Sequence, residues 1–97
     1  MTIARQYRMS AKAGAADELV AALKELKTAL QPLAGFEGAE LMQDVNAPDQ
    51  LVFLERWTSA QAHADASPFM PKAALSRVMA LLADRPGSAT YEVINFN

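Results

Sequence analysis

From Ile3 to Ser10 the chain alternates. Ile3, Arg5, Tyr7 and Met9 fall on one side, and Ala4, Gln6, Arg8 and Ser10 on the other. That two-residue period predicts a strand, which Gly14 closes. Between Ala16 and Gln31 the period lengthens. Leu19, Leu23, Leu26 and Leu30 make one apolar stripe flanked by Lys24, Glu25 and Lys27, the pattern of a helix packed on a sheet. Pro32 and Gly35 mark its end. Strand-like runs follow at Phe36–Val45 and Leu51–Trp57, separated by the turn Asn46-Ala47-Pro48-Asp49-Gln50. Thr58 to Gln61 reads as a capping box opening a second helix. Ser67-Pro68-Phe69-Met70-Pro71 interrupts that helix, with Pro71 suited to the first turn of the piece that follows. There Leu75, Val78, Met79 and Leu82 share a face. Arg85-Pro86-Gly87 is a stop, and Ala89 to Phe96 alternates as a last strand.

The order strand, helix, strand, strand, helix, strand is the split βαβ plan: an α+β, ferredoxin-like βαββαβ fold with a four-stranded antiparallel sheet and both helices on one face. One domain spanning 1–97 is expected. In the third strand Leu51, Phe53 and Trp57 point one way, and Val52 and Leu54 the other. In the last, Tyr91 and Val93 oppose Ile94 and Phe96. Two helices cover only one side of such a sheet, and an apolar second side left in water would be an unusually large exposed patch. The expectation is a homodimer joined through that sheet face, a dimeric α/β barrel.

Composition narrows the function. The 97 residues are 52% hydrophobic, which suits a folded domain rather than disorder, and no apolar run approaches the roughly 20 residues of a membrane span. The start Met1-Thr2-Ile3-Ala4-Arg5-Gln6 has no secretory or organellar pattern, so a cytoplasmic protein without membrane attachment is expected. A net charge of −2 lacks the basic footprint of a nucleic-acid binder. There is no cysteine, which removes thiolate nucleophiles and zinc–thiolate sites. One histidine is too few for a multi-histidine metal site within one chain. No glycine-rich phosphate loop or serine elbow is present. Neither a cofactor nor a metal is expected.

Few polar groups remain to carry chemistry. Glu55 shares a strand face with Phe53 and Trp57, so it is a carboxylate among apolar neighbours. Burial raises a carboxyl pKa and suits it to general-base work; the alternative is an ion pair with Arg5 or Arg8. Trp57, at the strand end, offers a flat wall and one N–H donor, or serves as core. His63 is the sole imidazole, suited to proton transfer or simply a surface residue; Asp65, two positions on, falls on a different helical face. Tyr7, Arg8, Gln6, Tyr91 and Asn95 are polar strand groups that could point into a pocket, and sequence alone does not say which do. Met42, Met70 and Met79 read as core filler or as an adaptable apolar lining. The candidate catalytic set is therefore His63, Trp57 and Glu55, with Tyr7, Arg8, Phe53, Met70 and Leu75 as candidate substrate contacts.

Three segments, Gly35-Phe36-Glu37-Gly38, Phe53-Leu54-Glu55-Arg56-Trp57-Thr58-Ser59, and His63 followed by Ser67-Pro68-Phe69, together resemble the antibiotic biosynthesis monooxygenase family. The resemblance runs through nearly the whole chain and implies a dimeric α+β barrel with a pocket between sheet and helices. Some members oxidise aromatic polyketides or quinols with molecular oxygen and no cofactor; others degrade haem. It also implies that Trp57 is the pocket tryptophan. Phe53 stands where oxidative members often carry asparagine. Ala66 stands where quinol-oxidising members carry histidine, with His63 one helical turn earlier. Ala66 also replaces the second tryptophan of the haem-degrading members. The expected function is a cofactor-independent monooxygenase acting on a small aromatic, polyketide or quinol. The alternative is a non-catalytic dimeric module that binds a small molecule or serves a structural role.

Overall fold

A computed structural model describes residues 1–95. The strands are β1 (Ile3–Ser10), β2 (Phe36–Gln43), β3 (Gln50–Trp57) and β4 (Gly87–Glu92). The helices are α1 (Ala16–Leu30), α2 (Ala60–Ala66) and α3 (Lys72–Ala80), with a single 3₁₀ turn at Ser67–Phe69 between the last two. All strand pairs are antiparallel and the order is β2-β3-β1-β4, the ferredoxin-like arrangement that the alternation predicts. Among the described residues no helix is long and apolar enough to cross a membrane.

Register decides which side chains meet. Ile3, Arg5, Tyr7 and Met9 of β1 stand opposite Trp57, Glu55, Phe53 and Leu51 of β3. Because successive side chains alternate across a sheet, these eight share the face beneath the helices. The leucine stripe of α1 closes on them: Leu19, Leu23, Leu26 and Leu30 are buried with Met9, Leu51, Phe53, Val78 and Leu82. Each fully buried leucine stabilises the fold by about 1.5–3 kcal/mol, so this stripe supplies much of the helix's reason to dock. Asp17 and Glu18 in its first turn and Lys27 in its last complement the helix dipole.

Several boundaries differ from the expected ones. Helix α1 stops at Leu30, with Gln31 as its C-cap. Strand β2 ends at Gln43 rather than Val45, because Asp44 Oδ1 accepts from the backbone N–H of Asn46 at 2.8 Å and Ala47 at 3.2 Å and starts the turn. The cap of α2 is Ser59, one residue beyond the expected Thr58. Ser59 Oγ accepts from Ala62 N–H at 3.0 Å, whereas the Thr58 N–H is already engaged by the Gly35 carbonyl at 2.8 Å. Gln61 therefore falls outside a capping box and bonds Asp65 instead. Pro68 takes the early position of the 3₁₀ turn, and Pro71 is the N-cap of α3. Leu82 lies past the end of α3, bridged to Ala11. Of the three methionines read as possible core filler, Met42 and Met79 are exposed. Strand β4 begins earlier than expected, at Gly87, and ends at Glu92, because its partner β1 starts at Ile3, opposite Glu92. The expected strand residue Phe96 lies outside the described residues.

Gly35, in the connection from α1 to β2, packs against the start of α2. Its φ of +86° is left-handed, and a Cβ there would stand 2.6 Å from the Ala62 Cβ. On the far side of the sheet lie Ala4, Gln6 and Arg8 of β1, and Val52, Leu54 and Arg56 of β3. Glu40 and Met42 of β2 and Ala89 and Tyr91 of β4 complete that face. Val52 and Leu54 are half-buried, while Met42 and Tyr91 are exposed. Arg56 and Glu40 form an ion pair across the face at 3.6 Å.

Candidate functional site

Under the helices the packing is incomplete. A hollow of about 240 Å³ remains between the sheet, α1, the α2–α3 junction and α3. Met9, Leu26, Leu30, Phe53, Leu75 and Val78 make its apolar walls, with Met70, Met79 and Pro86 also lining it. Its polar groups are Tyr7, Glu55, His63 and Ser67. The space exceeds the roughly 150 Å³ cavity that holds benzene and falls short of the 300–1,000 Å³ of drug-sized sites. It suits a small ring system.

Among the described residues Glu55 is the buried charged one, 5% exposed. Strand alternation places it on the same face as Trp57, and the indole Nε1–H donates to Glu55 Oε1 at 2.9 Å. Burial pushes the carboxyl above its ordinary range; the Trp57 hydrogen bond and the charge of Arg5 pull the other way without cancelling it. Neither arginine weighed as an ion-pair partner reaches it: the ion pairs among the described residues are Arg56–Glu40 and Arg77–Glu25.

Trp57 is fully buried and lies behind the hollow rather than in its lining. Its N–H is committed to Glu55 and is not free to donate into the hollow. Phe36 and His63 pack edge-on against its ring, with centroids 5.3 and 5.1 Å away. The imidazole is half-buried and lines the hollow. Burial, and secondarily the charge of Arg5, hold its pKa below the ordinary imidazole value. His63 is therefore neutral at neutral pH and able to accept a proton.

Tyr7 lines the hollow too. Burial and the nearby Glu55 charge raise its phenol pKa, partly offset by Arg5. It keeps its proton under ordinary conditions. Of the other candidate contacts, Phe53, Met70 and Leu75 line the hollow, but Arg8 does not. Arg8 pairs with Val52 and Gly87 on the opposite sheet face, where it is exposed. Tyr91 and Gln6 share that far face. Arg5 and Ser67 went unsingled by sequence reasoning as site residues. Arg5 shares a face with Tyr7 by the same alternation that removes Arg8. Ser67 carries no comparable signal. Among the described residues, no three His, Cys, Asp or Glu side chains converge to hold a metal ion.

The frame is thus an α+β, ferredoxin-like sheet with helices on one face and an apolar hollow between them whose lining carries a carboxylate and an imidazole. Residues 2–67 match the family model for antibiotic biosynthesis monooxygenase. The chain belongs to that family. No curated protein matches it. Among solved structures it is similar to SnoaB, a cofactor-independent oxygenase from Streptomyces nogalater, with 15% identity over 98% of this chain and 95% of that one, at a TM-score of 0.85. It is similar also to Rv0793 from Mycobacterium tuberculosis (20% identity, 99% and 98% covered, TM-score 0.81). Protein SO0527 from Shewanella oneidensis shares 23% identity, with 93% and 88% covered and a TM-score of 0.77. These likenesses establish the shared fold.

Proposed function

We propose that the protein is a cofactor-independent monooxygenase acting on a small electron-rich aromatic, with a hydroquinone or anthrone as the model substrate. The observation that carries this reading is the composition of the hollow: apolar walls sized for a ring, with Glu55, His63 and Tyr7 in the same lining. The oxygenase activity named for SnoaB supports it. Such a reaction balances without a cofactor. A hydroquinone and O₂ give a hydroxyquinone and water, the substrate supplying all the electrons. The protein must accept a proton, steady the resulting oxyanion and exclude water. His63 and Glu55 are the proton acceptors, and Trp57 holds Glu55 in place through its N–H. Phe53, Met70 and Leu75 grip the ring.

The protein acts as a homodimer in this reading. Val52, Leu54, Met42 and Tyr91 on the helix-free side are the apolar groups a second copy covers. The test is oxygen uptake with a panel of hydroquinones and anthrones. A positioned base contributes about 10²–10⁴-fold, so His63→Ala or Glu55→Gln should lower the rate by at least about 10²-fold. No uptake above the uncatalysed rate sinks the catalytic reading. Two features favour a binding module instead: the indole N–H faces Glu55 rather than the hollow, and Phe53 adds no polar group. Tight binding of the same aromatics with no oxygen consumption is its signature.

A further inference from the structure

Arg5 takes no part in the mechanism above, yet it stands beside the hollow's polar groups. It lies opposite Glu55 on β3 and opposite Thr90 on β4. An arginine facing a buried carboxylate usually pairs with it. Here it turns the other way. One guanidinium NH donates to Thr90 Oγ1 at 2.7 Å, and Nε–H donates to the Tyr7 hydroxyl oxygen at 3.2 Å. The guanidinium carbon sits 5.2 Å from the Tyr7 ring centre. Arg5 is thus tied to one phenol and anchored by one threonine, with no carboxylate in ion-pair contact among the described residues.

A phenol has a single proton. Since the Tyr7 oxygen accepts from Arg5, its own O–H is left to donate elsewhere. Among the described residues no protein acceptor takes that proton, and Tyr7 lines the hollow. We propose that Arg5 and Tyr7 work as a unit that recognises the ionising oxygen of a phenolic ligand: Tyr7 donates to that oxygen, and Arg5 aims the donor and backs it with charge. The inference rests on the reading of the hollow as an aromatic site. Tyr7 touches the ligand, and Arg5 is a positioning residue acting through it.

The surrounding groups make the arrangement selective. Burial pushes the Glu55 carboxyl of β3 above its ordinary range, His63 from α2 is neutral at neutral pH, and Ser67 from the 3₁₀ turn is uncharged. A ligand bearing a permanent carboxylate meets Glu55 at a cost wherever Glu55 is ionised. A neutral phenol enters freely and becomes anionic against the one donor that carries a cation behind it. Hydrogen bonds backed by charge are about twice as strong as neutral ones, and the difference appears only as the ligand oxygen ionises.

The probe is 4-nitrophenol, whose absorbance reports its own ionisation. It is bound to the intact protein and titrated across pH, its proton passing to solvent. In Tyr7→Phe and in Arg5→Gln, the ionisation constant of the bound probe should fall about tenfold, an upward shift of about one pH unit. The Arg5→Gln/Tyr7→Phe double variant should shift no further than Tyr7→Phe alone, and Arg5→Lys should fall between wild type and Arg5→Gln. Thr90→Val, on the exposed edge strand, releases the anchor while keeping the charge and should shift the probe the same way by less. It keeps the test decisive if Arg5→Gln folds poorly. Additive shifts in the double variant, or an unchanged ionisation in Tyr7→Phe, overturn the inference. Absence of probe binding to the wild type overturns both the inference and the aromatic-site reading. Binding with these shifts, but no oxygen uptake with any hydroquinone, removes the oxygenase reading and leaves the donor pair standing.

Discussion

Replacing Trp57 with phenylalanine separates two roles of one side chain, because packing and hydrogen bonding depend differently on pH. The ring is wholly buried. Exchanging indole for phenyl empties on the order of 40 Å³, which at ~24 cal/mol per Å³ costs about 1 kcal/mol. The change also deletes the 2.9 Å bond to Glu55. A hydrogen bond to a charged acceptor contributes about 1.5–3 kcal/mol and a neutral one about 1 kcal/mol. Trp57→Phe should therefore destabilise the protein by about 2.5–4 kcal/mol where Glu55 is ionised and by about 2 kcal/mol where it is protonated. The sign follows from linkage. The Trp57 bond favours the ionised carboxyl, so its loss raises an already elevated pKa further. The folded variant then holds its proton over a wider range than the unfolded chain, and its deficit grows as pH rises through the titration of Glu55. Urea unfolding of both proteins across the range, at one fixed protein concentration to hold any dimerisation constant, measures it. A deficit that is flat with pH, or larger in acid, refutes the assignment of that bond to an ionising carboxylate.

Four further outcomes follow from the same geometry. Glu55→Gln should raise the melting temperature at neutral and alkaline pH, with the gain vanishing below the ordinary carboxylate range, since folding holds this carboxyl's proton against the unfolded chain's tendency to release it. His63→Gln should instead lessen the loss of stability on acidification, because the folded imidazole resists the protonation that the unfolded one accepts. Gly35→Ala combines a left-handed φ of +86° with a 2.6 Å approach to the Ala62 Cβ and should cost about 3 kcal/mol by denaturant unfolding. Leu54→Glu on the helix-free sheet side should convert a dimer to monomers by sedimentation while the circular dichroism spectrum stays unchanged; a wild-type monomer at micromolar concentration, or a variant that remains dimeric, removes that surface as the interface.

Periodicity carried the fold a long way. The stripe Leu19–Leu23–Leu26–Leu30 specifies α1, and the alternation in Leu51–Trp57 places Glu55 on the strand face of Phe53 and Trp57. What periodicity leaves open is direction within a face. Glu55 and Trp57 are two residues apart on one side of a strand, yet only the rotamers reveal that the indole N–H meets the carboxylate and so turns away from a ligand. Arg8 is instructive in the opposite sense. The alternation that sets Tyr7 and Arg8 on opposite faces was enough to keep Arg8 out of the hollow, and the same rule draws Arg5 towards it. The end of β4 was illegible for another reason: a strand stops where its partner does, and the start of β1 at Ile3 is not written in residues 89–96.

The break between α2 and α3 divides the hollow along the chain. Its polar members, Tyr7, Glu55, His63 and Ser67, all precede or coincide with residue 67, where the family match ends. Met70, Leu75, Val78, Met79 and Pro86, which bound much of the remaining volume, all come after it. The polar lining is thus carried wholly by the chain up to residue 67, while the apolar lining is shared between that stretch, through Met9, Leu26, Leu30 and Phe53, and the one that follows. Exchanging the segment after Phe69 for that of another member would reshape one side of the hollow while leaving its polar lining in place.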